Sequence, residues 1–365
     1  MDVRGRHDGR ALSNAIEIDG YIQRLRINES GDFTSRLNAL CNHLLSEVRR
    51  LASEGKKFSP QQLTNIIFEG GITTIRPLIE KHTDANTELV FLFDNIDKGW
   101  PANGVPKVDA RIVRLLIEAL DKVKRDFNAH DRQFQFVVFL RNDIYELLVD
   151  ETPDRGKAAE TRIHWTDRAK LRQVIYRRLQ ASIKDRESSF EKIWTRFFVD
   201  KVRNRDSFEY FVDHCLMRPR FLINLIEYSI SNGINRDHQR VEEDDCIDAV
   251  RQNSLYLMDD FGYEIRDVSG IDARILYGFV GVTELLTKEE IFGAFKKRQL
   301  PENQWEQGLW LMLWYGVIGI TISDGSTRFI CNYDYNMKRL DAEILNVGDE
   351  MLYAVNPGLH VGLAA

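Results

Sequence analysis

Two apolar runs restrict the fold of this chain more than any other feature: residues 89–93, which are unbroken, and residues 134–140, in which Gln135 is the one polar residue. Runs of this length with little polar alternation are typical of strands that are buried on both faces of a parallel sheet. Residues 108–127, which lie between the runs, carry apolar side chains at helical spacing and predict an amphipathic helix. Because a strand, a helix and a second strand in this order form a right-handed parallel unit, we predict an α/β core.

Acidic residues follow the first run at the point where the predicted strand ends. Asp94 comes directly after the run, and Asp97 follows shortly afterwards. Open parallel sheets bind their ligands at the carboxyl ends of the strands, and Mg²⁺ takes one or two carboxylates together with waters and nucleotide phosphates. The pattern therefore predicts a magnesium site at Asp94, backed by Asp97. The alternative is that Asp94 and Asn95 only cap the next turn.

A second polar cluster follows the other run. Its members are Arg141, Asn142 and Asp143. If the two strands are neighbours, these side chains lie beside Asp94, because the carboxyl ends of parallel strands meet at one edge of the sheet. A guanidinium or an amide in this position can orient a water molecule or contact the γ-phosphate of a nucleotide.

Two arginines, Arg218 and Arg220, flank Pro219 directly ahead of an apolar helical pattern at residues 221–230. Proline is favoured in the first turn of a helix, so the pattern predicts a helix start here. Arginine guanidinium groups and backbone N–H groups at a helix N-terminus together predict an anion site. The alternative is that both arginines pair with acidic residues on the surface.

The segments between these motifs are predominantly helical. After a polar loop, residues 161–165 predict a short strand that extends the sheet, and residues 166–182 predict a helix. Helical patterns then dominate residues 190–257, as expected for an all-helical lid.

The C-terminal part of the chain has a different pattern. Thr287 and Glu290 form a capping box that begins one helix, and a second helix is predicted at about residues 301–315. Strands at residues 317–322 and 328–333 follow, joined through an Asp-Gly turn. Two helices and a hairpin in this order predict a winged helix-turn-helix.

The order of these motifs resembles that of the P-loop ATPases of the KAP and STAND types, within the AAA+ class. The sequence DNID at 94–97 is similar to a Walker B motif, RND at 141–143 to sensor 1, and RPR at 218–220 to sensor 2. The resemblance covers about residues 88–363 and includes the closing winged helix. It implies an ATP-binding or ATP-hydrolysing switch protein that uses ATP and Mg²⁺, as many STAND proteins do in signalling or defence.

The resemblance also implies a role for each motif. Asp94 takes the magnesium ion, and Asp97 or a neighbour polarises the attacking water. Asn142 or Arg141 acts as sensor 1, with Asp143 next to them. Arg218 or Arg220 acts as sensor 2.

The implied architecture is a partial P-loop ATPase α/β core over residues 1–185, a helical lid over 186–272 and a winged-helix domain over 273–365. The phosphate-binding motif G-x-x-x-x-G-K-[ST] is absent from the sequence, so the core is expected to lack its first strand. Two explanations stay open. The chain is either an N-terminally shortened or split ATPase, or a degenerate member that keeps the scaffold without hydrolysis.

Composition limits the cellular compartment and the kinds of ligand and membrane contact that we expect for this chain. The net charge is −6, and four widely spaced cysteines without a C-x-x-C pair indicate a reducing compartment and no structural zinc site. No apolar signal segment opens the chain, and the uncharged run at residues 308–323 is too short to span a bilayer. We therefore expect a cytoplasmic protein that does not enter the membrane.

The predicted second helix of the winged region bears on nucleic-acid binding. Residues 303–315 contain no Lys or Arg, which argues against DNA and for contact with a protein partner or a second copy of the chain. A non-enzymatic regulatory module that uses the winged helix for protein or DNA contact is thus the alternative function. A non-functional gene fragment is the third possibility.

Overall fold

The computed structural model describes residues 9–24, 33–53, 59–68, 73–82, 88–96, 107–130, 133–141, 145, 161–185, 187–280, 282 and 285–363. They divide into two compact units. The smaller unit comprises residues 1–96 and 112–140, and the larger unit comprises residues 97–111 and 141–365. The predicted mixture of helices and strands is confirmed, and helices predominate.

The smaller unit combines helices with one two-stranded sheet. Its elements are α1 (Gly9–Arg24), α2 (Phe33–Ser53), α3 (Pro60–Ile67), α4 (Thr73–His82), β1 (Glu88–Phe93), α5 (Lys107–Asn128, of which residues 107–111 fall in the larger unit) and β2 (Gln133–Val138). Strands β1 and β2 pair in parallel, in a register that runs from Glu88 opposite Gln133 to Phe93 opposite Val138. The predicted parallel strand, helix and strand are therefore confirmed.

One face of this sheet is covered by helices. The buried core consists of Leu89 and Phe134 from the strands and Phe127 from α5, with Ile79 of α4 and Phe136 packed against it. Seven-residue spacing along α5 places its buried residues on one stripe, which is why this helix lies against the sheet.

The other face of the sheet is exposed among the residues that the structure describes. Val90 and Leu92 of β1 are 53% and 65% exposed, and Val137 of β2 is 43% exposed. The expectation that both strands are buried on both faces is therefore wrong for this face. The physical reason is that an apolar run predicts what a strand prefers to contact, but burial needs a covering layer, and the described helices contribute only one.

The larger unit is helical in its first part. Its helices there are α6 (Arg168–Ile183), α7 (Phe190–Phe197), α8 (Ser207–His214), α9 (Pro219–Asn235) and α10 (Glu243–Ser269), and a short ribbon joins β3 (Lys201–Val202) to β4 (Arg205–Asp206). The predicted strand at residues 161–165 is absent. That segment has no ladder partner among the described residues, and Ile163 is 71% exposed.

The last part of the larger unit contains four α-helices and a small sheet. The elements are α11 (Lys288–Lys297), α12 (Trp305–Trp314), β5 (Ile318–Thr321), β6 (Thr327–Arg328), α13 (Met337–Val347), β7 (Leu352–Val355) and α14 (Pro357–Leu363). The predicted capping box is confirmed, because Thr287 Oγ1 accepts from the Glu290 N–H and the Thr287 N–H donates to Glu290 Oε2.

The predicted hairpin is only partly correct. Strands β5 and β6 are antiparallel and meet at a turn in which Gly325 has a φ of 80°, but β6 ends at Arg328. The chain then enters a 3₁₀ turn, because the Phe329 N–H donates to Asn332 Oδ1. Strand β7, which the sequence did not predict, completes the sheet in the order β6-β5-β7.

A single cluster of buried apolar side chains runs through the larger unit, from Leu171 to Leu359. It crosses the predicted boundary after residue 272, since the ring centroids of Phe261 and Tyr315 are 5.7 Å apart. The domain boundaries after residues 185 and 272 stay predictions. None of the described helices has the length and apolar character needed to span a membrane.

Candidate functional site

The first candidate group lies at the carboxyl end of β1. Asp94 is exposed there, and its Oδ1 accepts from the Asn95 N–H at 2.9 Å. Asn95 has a φ of 58°, a left-handed conformation that asparagine tolerates better than most residues. This hydrogen bond reaches only the adjacent residue, so the capping alternative stays a prediction, and the second carboxylate oxygen of Asp94 is left for other ligands. Asp97 lies outside the described residues.

The second candidate group follows β2. The Phe139 N–H donates to Phe93 O at 2.9 Å, so backbone pairing continues one residue past the strand. Arg141 is exposed, and its carbonyl accepts from the Tyr145 N–H at 3.0 Å. Asn142 and Asp143 lie outside the described residues, so their predicted sensor role stays a prediction.

The third candidate group, at the start of α9, contains two arginines whose surroundings differ. The Arg218 guanidinium lies 5.3 Å from the Phe221 ring centroid and 5.0 Å from that of Phe261, and it donates to Tyr315 O at 3.3 Å. Arg220, two residues later, is exposed. Arg218 therefore links α9 and α10 to the end of α12, and Arg220 is the more accessible of the two to an anion.

The residues present fit a magnesium ion only in part. Among the described residues, no group of three His, Cys, Asp or Glu side chains lies close enough together to hold a metal ion. One carboxylate such as Asp94 can hold Mg²⁺ only together with waters and phosphate oxygens. The sequence lacks the loop whose N–H groups and lysine bind those phosphates. The residues of this sequence therefore do not form a complete nucleotide site.

A buried ionic cluster at the start of α10 was not predicted from the sequence. The Asp245 side chain is fully buried and accepts from the Arg236 guanidinium and His238 Nδ1, both at 2.7 Å, and from the Glu242 N–H at 2.9 Å. Arg236 also pairs with Asp248. Burial favours a raised pKa for Asp245, but these donors outweigh burial and hold its pKa below the usual value. The cluster fastens the turn before α10 to that helix.

Comparison with known proteins gives one family match, which covers a minority of the chain. Residues 169–262 match the model of the FunZ-associated C-terminal helical domain. This range contains α7 to α9, most of α6 and most of α10. No solved structure matches the chain.

Two curated proteins are distantly similar to the chain. The putative transposon gamma-delta 80.3 kDa protein of Escherichia coli is 21% identical over 187 residues, which are 50% of this chain and 26% of that protein. The allergen Alt a 2 of Alternaria alternata is 23% identical over 133 residues, 36% of this chain and 70% of that protein. The chain thus spans about a quarter of the E. coli relative. These descriptions name a helical domain and a transposon protein, not a P-loop ATPase.

Proposed function

We propose that this chain is part of an ATP-dependent switch of the AAA+ class, with a P-loop-like core, a helical lid and a winged helix. One observation carries the proposal: two parallel strands end side by side, and Asp94 is exposed at that end. Ligands of open parallel sheets bind at this end of the strands. This sequence contains no phosphate-binding loop, so the proposal requires one that is supplied from elsewhere.

In this function each candidate residue has a defined task. Asp94 would hold Mg²⁺, Asp97 would polarise the attacking water, and Asn142 or Arg141 would contact the γ-phosphate. Magnesium, when bound with ATP, neutralises charge on the transferred phosphoryl group. Arg220 is the better candidate for the phosphate-reading arginine, because Arg218 contacts Phe221, Phe261 and Tyr315 O.

A second candidate function is a regulatory module that contacts another protein through α11, α12 and the β6-β5-β7 sheet, arranged as a winged helix. Trp310 on α12 is 39% exposed and stacks on Trp314, with ring centroids 5.4 Å apart. Exposed tryptophan is typical of protein interfaces. The transposon-associated relative makes DNA the competing partner, and a DNA reader would show affinity that falls steeply with salt concentration. If binding to duplex DNA is absent or does not depend on salt concentration, DNA is excluded as the partner.

The ATPase proposal is tested by supplying the missing loop. A fusion that places a strand, the loop G-x-x-x-x-G-K-[ST] and a helix ahead of the chain should hydrolyse ATP, whereas the chain alone should bind Mg-ATP more weakly than micromolar in calorimetry. Asp94→Ala in the fusion should lower the rate at least about a hundredfold. Glu118→Ala, an exposed carboxylate on α5, is the matched control and should keep full activity. Normal hydrolysis by the Asp94→Ala fusion would disprove the assignment.

A further inference from the structure

Positive charge is concentrated in one segment of the larger unit. Residues 161–205 contain thirteen Lys and Arg and only five Asp and Glu, although the net charge of the whole chain is −6. Helix α6 lies in this segment and contains five Lys and Arg and no acidic residue. Because the charges are unevenly distributed, a chain with a negative total can still present a positive surface.

Half of the cations on α6 and at its end are neutralised by the fold. These three pair with carboxylates of neighbouring elements: Arg168 with Glu209 and Asp213, Arg172 with Glu191, and Arg178 with Glu227. Such pairs hold their guanidinium groups against the protein. They are therefore poor candidates for binding an external ligand.

The other three cations are Lys170, Arg177 and Lys184, which directly follows the helix. None of them pairs with a carboxylate among the residues that the structure describes. The Arg177 guanidinium donates to the neutral side chain of Gln180. The carboxylate next to Lys184, that of Asp185, instead accepts from two backbone N–H groups of the following turn. We call these three cations the basic row.

The basic row lies on the solvent side of α6. Its members are seven residues apart, and seven residues are close to two turns of a helix, so they follow one another along one side. All three are exposed, whereas Leu171 and Ile175, on the other side of the helix, are buried. At a rise of about 1.5 Å per residue, the basic row is a line of positive charge about 20 Å long.

A ligand with many regularly spaced negative charges fits this line. Each strand of duplex DNA carries one phosphate per about 3.4 Å of helix axis, so about six base pairs match the length of the basic row. Lysine and arginine side chains supply most of the protein contacts to such phosphates. The charge and the length of the basic row thus favour the backbone of a duplex.

Two other polyanionic partners fit less well. Proteins that bind single strands place aromatic rings beside their cations so that bases can stack on them, but the exposed residues between the cations on this side are Gln173 and Ala181. Helices that lie on membranes bury their apolar side in lipid. The apolar side of α6 instead belongs to the core of the larger unit.

We propose that this chain binds the phosphate backbone of duplex DNA through the basic row. Each of the three cations neutralises one phosphate, and the contact does not distinguish base sequences, because phosphates carry no base information. The dissociation constant should be on the order of 10⁻⁴–10⁻⁶ M at physiological salt, as for other non-specific contacts. The proposal is independent of ATP hydrolysis, and it places DNA on a different surface from the winged region.

The test is a titration of a fluorescent duplex of mixed sequence with the full chain at several salt concentrations. Three phosphate contacts predict that the logarithm of the association constant falls with the logarithm of salt concentration with a slope of about −2.7. The triple variant Lys170→Gln, Arg177→Gln and Lys184→Gly should make the slope shallower by about 2.7, and each single change by about 0.9. Because Lys184 has a φ of 56°, glycine suits its backbone, and lost binding in Lys184→Gly reports the charge.

Two control variants separate the basic row from other positive groups. Arg178→Gln removes the same charge from the residue next to Arg177, but its guanidinium pairs with Glu227, so the slope should stay nearly unchanged. Lys296→Gln combined with Lys297→Gln removes two exposed cations at the end of α11. This double variant tests the winged region and should also leave the slope nearly unchanged.

Three results would overturn the proposal. The first is no measurable binding of the duplex at about 50 mM salt, or equal losses in Arg177→Gln and Arg178→Gln. The second is binding that the Lys296 and Lys297 double variant loses and the triple variant keeps, which would assign DNA to the winged region. The third is competition by polyglutamate that equals competition by the duplex at the same charge concentration, which would assign the basic row to an acidic polypeptide.

Discussion

The two units bury their apolar residues to very different degrees. In the larger unit, side chains such as Phe198, Phe211 and Phe261 are completely buried within one continuous cluster. In the smaller unit, the described core beneath the sheet has three buried residues, while Val90 and Leu92 on the same strand as one of them are more than half exposed. Apolar sequence is thus present in both units, but among the residues that the structure describes only the larger unit covers it on all sides.

The largest effect on stability is expected in the core of the larger unit. Phe261→Ala should lower the free energy of unfolding by about 3–5 kcal/mol, because it removes a fully buried ring that packs against Phe221 and Tyr315. Urea unfolding followed by tryptophan fluorescence measures this. Tyr263→Ala, two residues away and 60% exposed, is the control and should change stability by less than about 0.5 kcal/mol. Similar losses for both variants would contradict the described core.

The next largest effect is expected at the buried carboxylate of α10. Asp245→Asn should cost about 3 kcal/mol, because it leaves His238 without its charged partner and the Arg236 guanidinium with only Asp248. The exposed neighbour Asp244, in the same helical turn, is the control. Asp244→Asn should cost about 0.5 kcal/mol at most.

The same carboxylate also gives a dependence on pH. The pKa of Asp245 is lowered in the folded chain, so its contribution to stability is complete above the pKa of the unfolded state, about 4, and is lost as the pH falls through the folded value. The wild-type chain should therefore lose more stability than Asp245→Asn when the pH is lowered from about 6 to 3. Parallel curves for the two proteins would show that Asp245 does not titrate in this way.

Local signals in the sequence predicted the backbone better than the surroundings of each side chain. The parallel strands and the capping box at Thr287 follow from patterns a few residues long. Arg218 was placed correctly at a helix start, but its partner Tyr315 is 97 residues away, a contact that no local pattern reports. The open face of β1 was missed for a related reason, because an apolar run does not show whether a covering layer exists.

A smaller effect distinguishes the two arginines at the start of α9. Arg218→Met should cost about 1–2 kcal/mol, since it removes the hydrogen bond to Tyr315 O and the contacts of the guanidinium with two aromatic rings. Arg220→Met should leave the unfolding curve nearly unchanged, because the side chain is exposed. In the fusion that carries the phosphate-binding loop, Arg220→Met should weaken ATP binding more than Arg218→Met does. A stability loss in Arg220→Met equal to that in Arg218→Met would contradict this division of roles.

The smallest effect is expected on the open face of the smaller unit. Leu92→Asp should change the free energy of unfolding by less than about 0.5 kcal/mol in the chain alone, because the side chain is already 65% exposed and loses little contact. Leu89→Asp, three residues earlier on the same strand, is the matched comparison. Its side chain is only 6% exposed, and a charge there should unfold the sheet, seen as loss of amide protection in β1 and β2. If Leu92→Asp were as damaging as Leu89→Asp, both faces of the sheet would be covered within the chain itself, and the contrast between the two units would disappear.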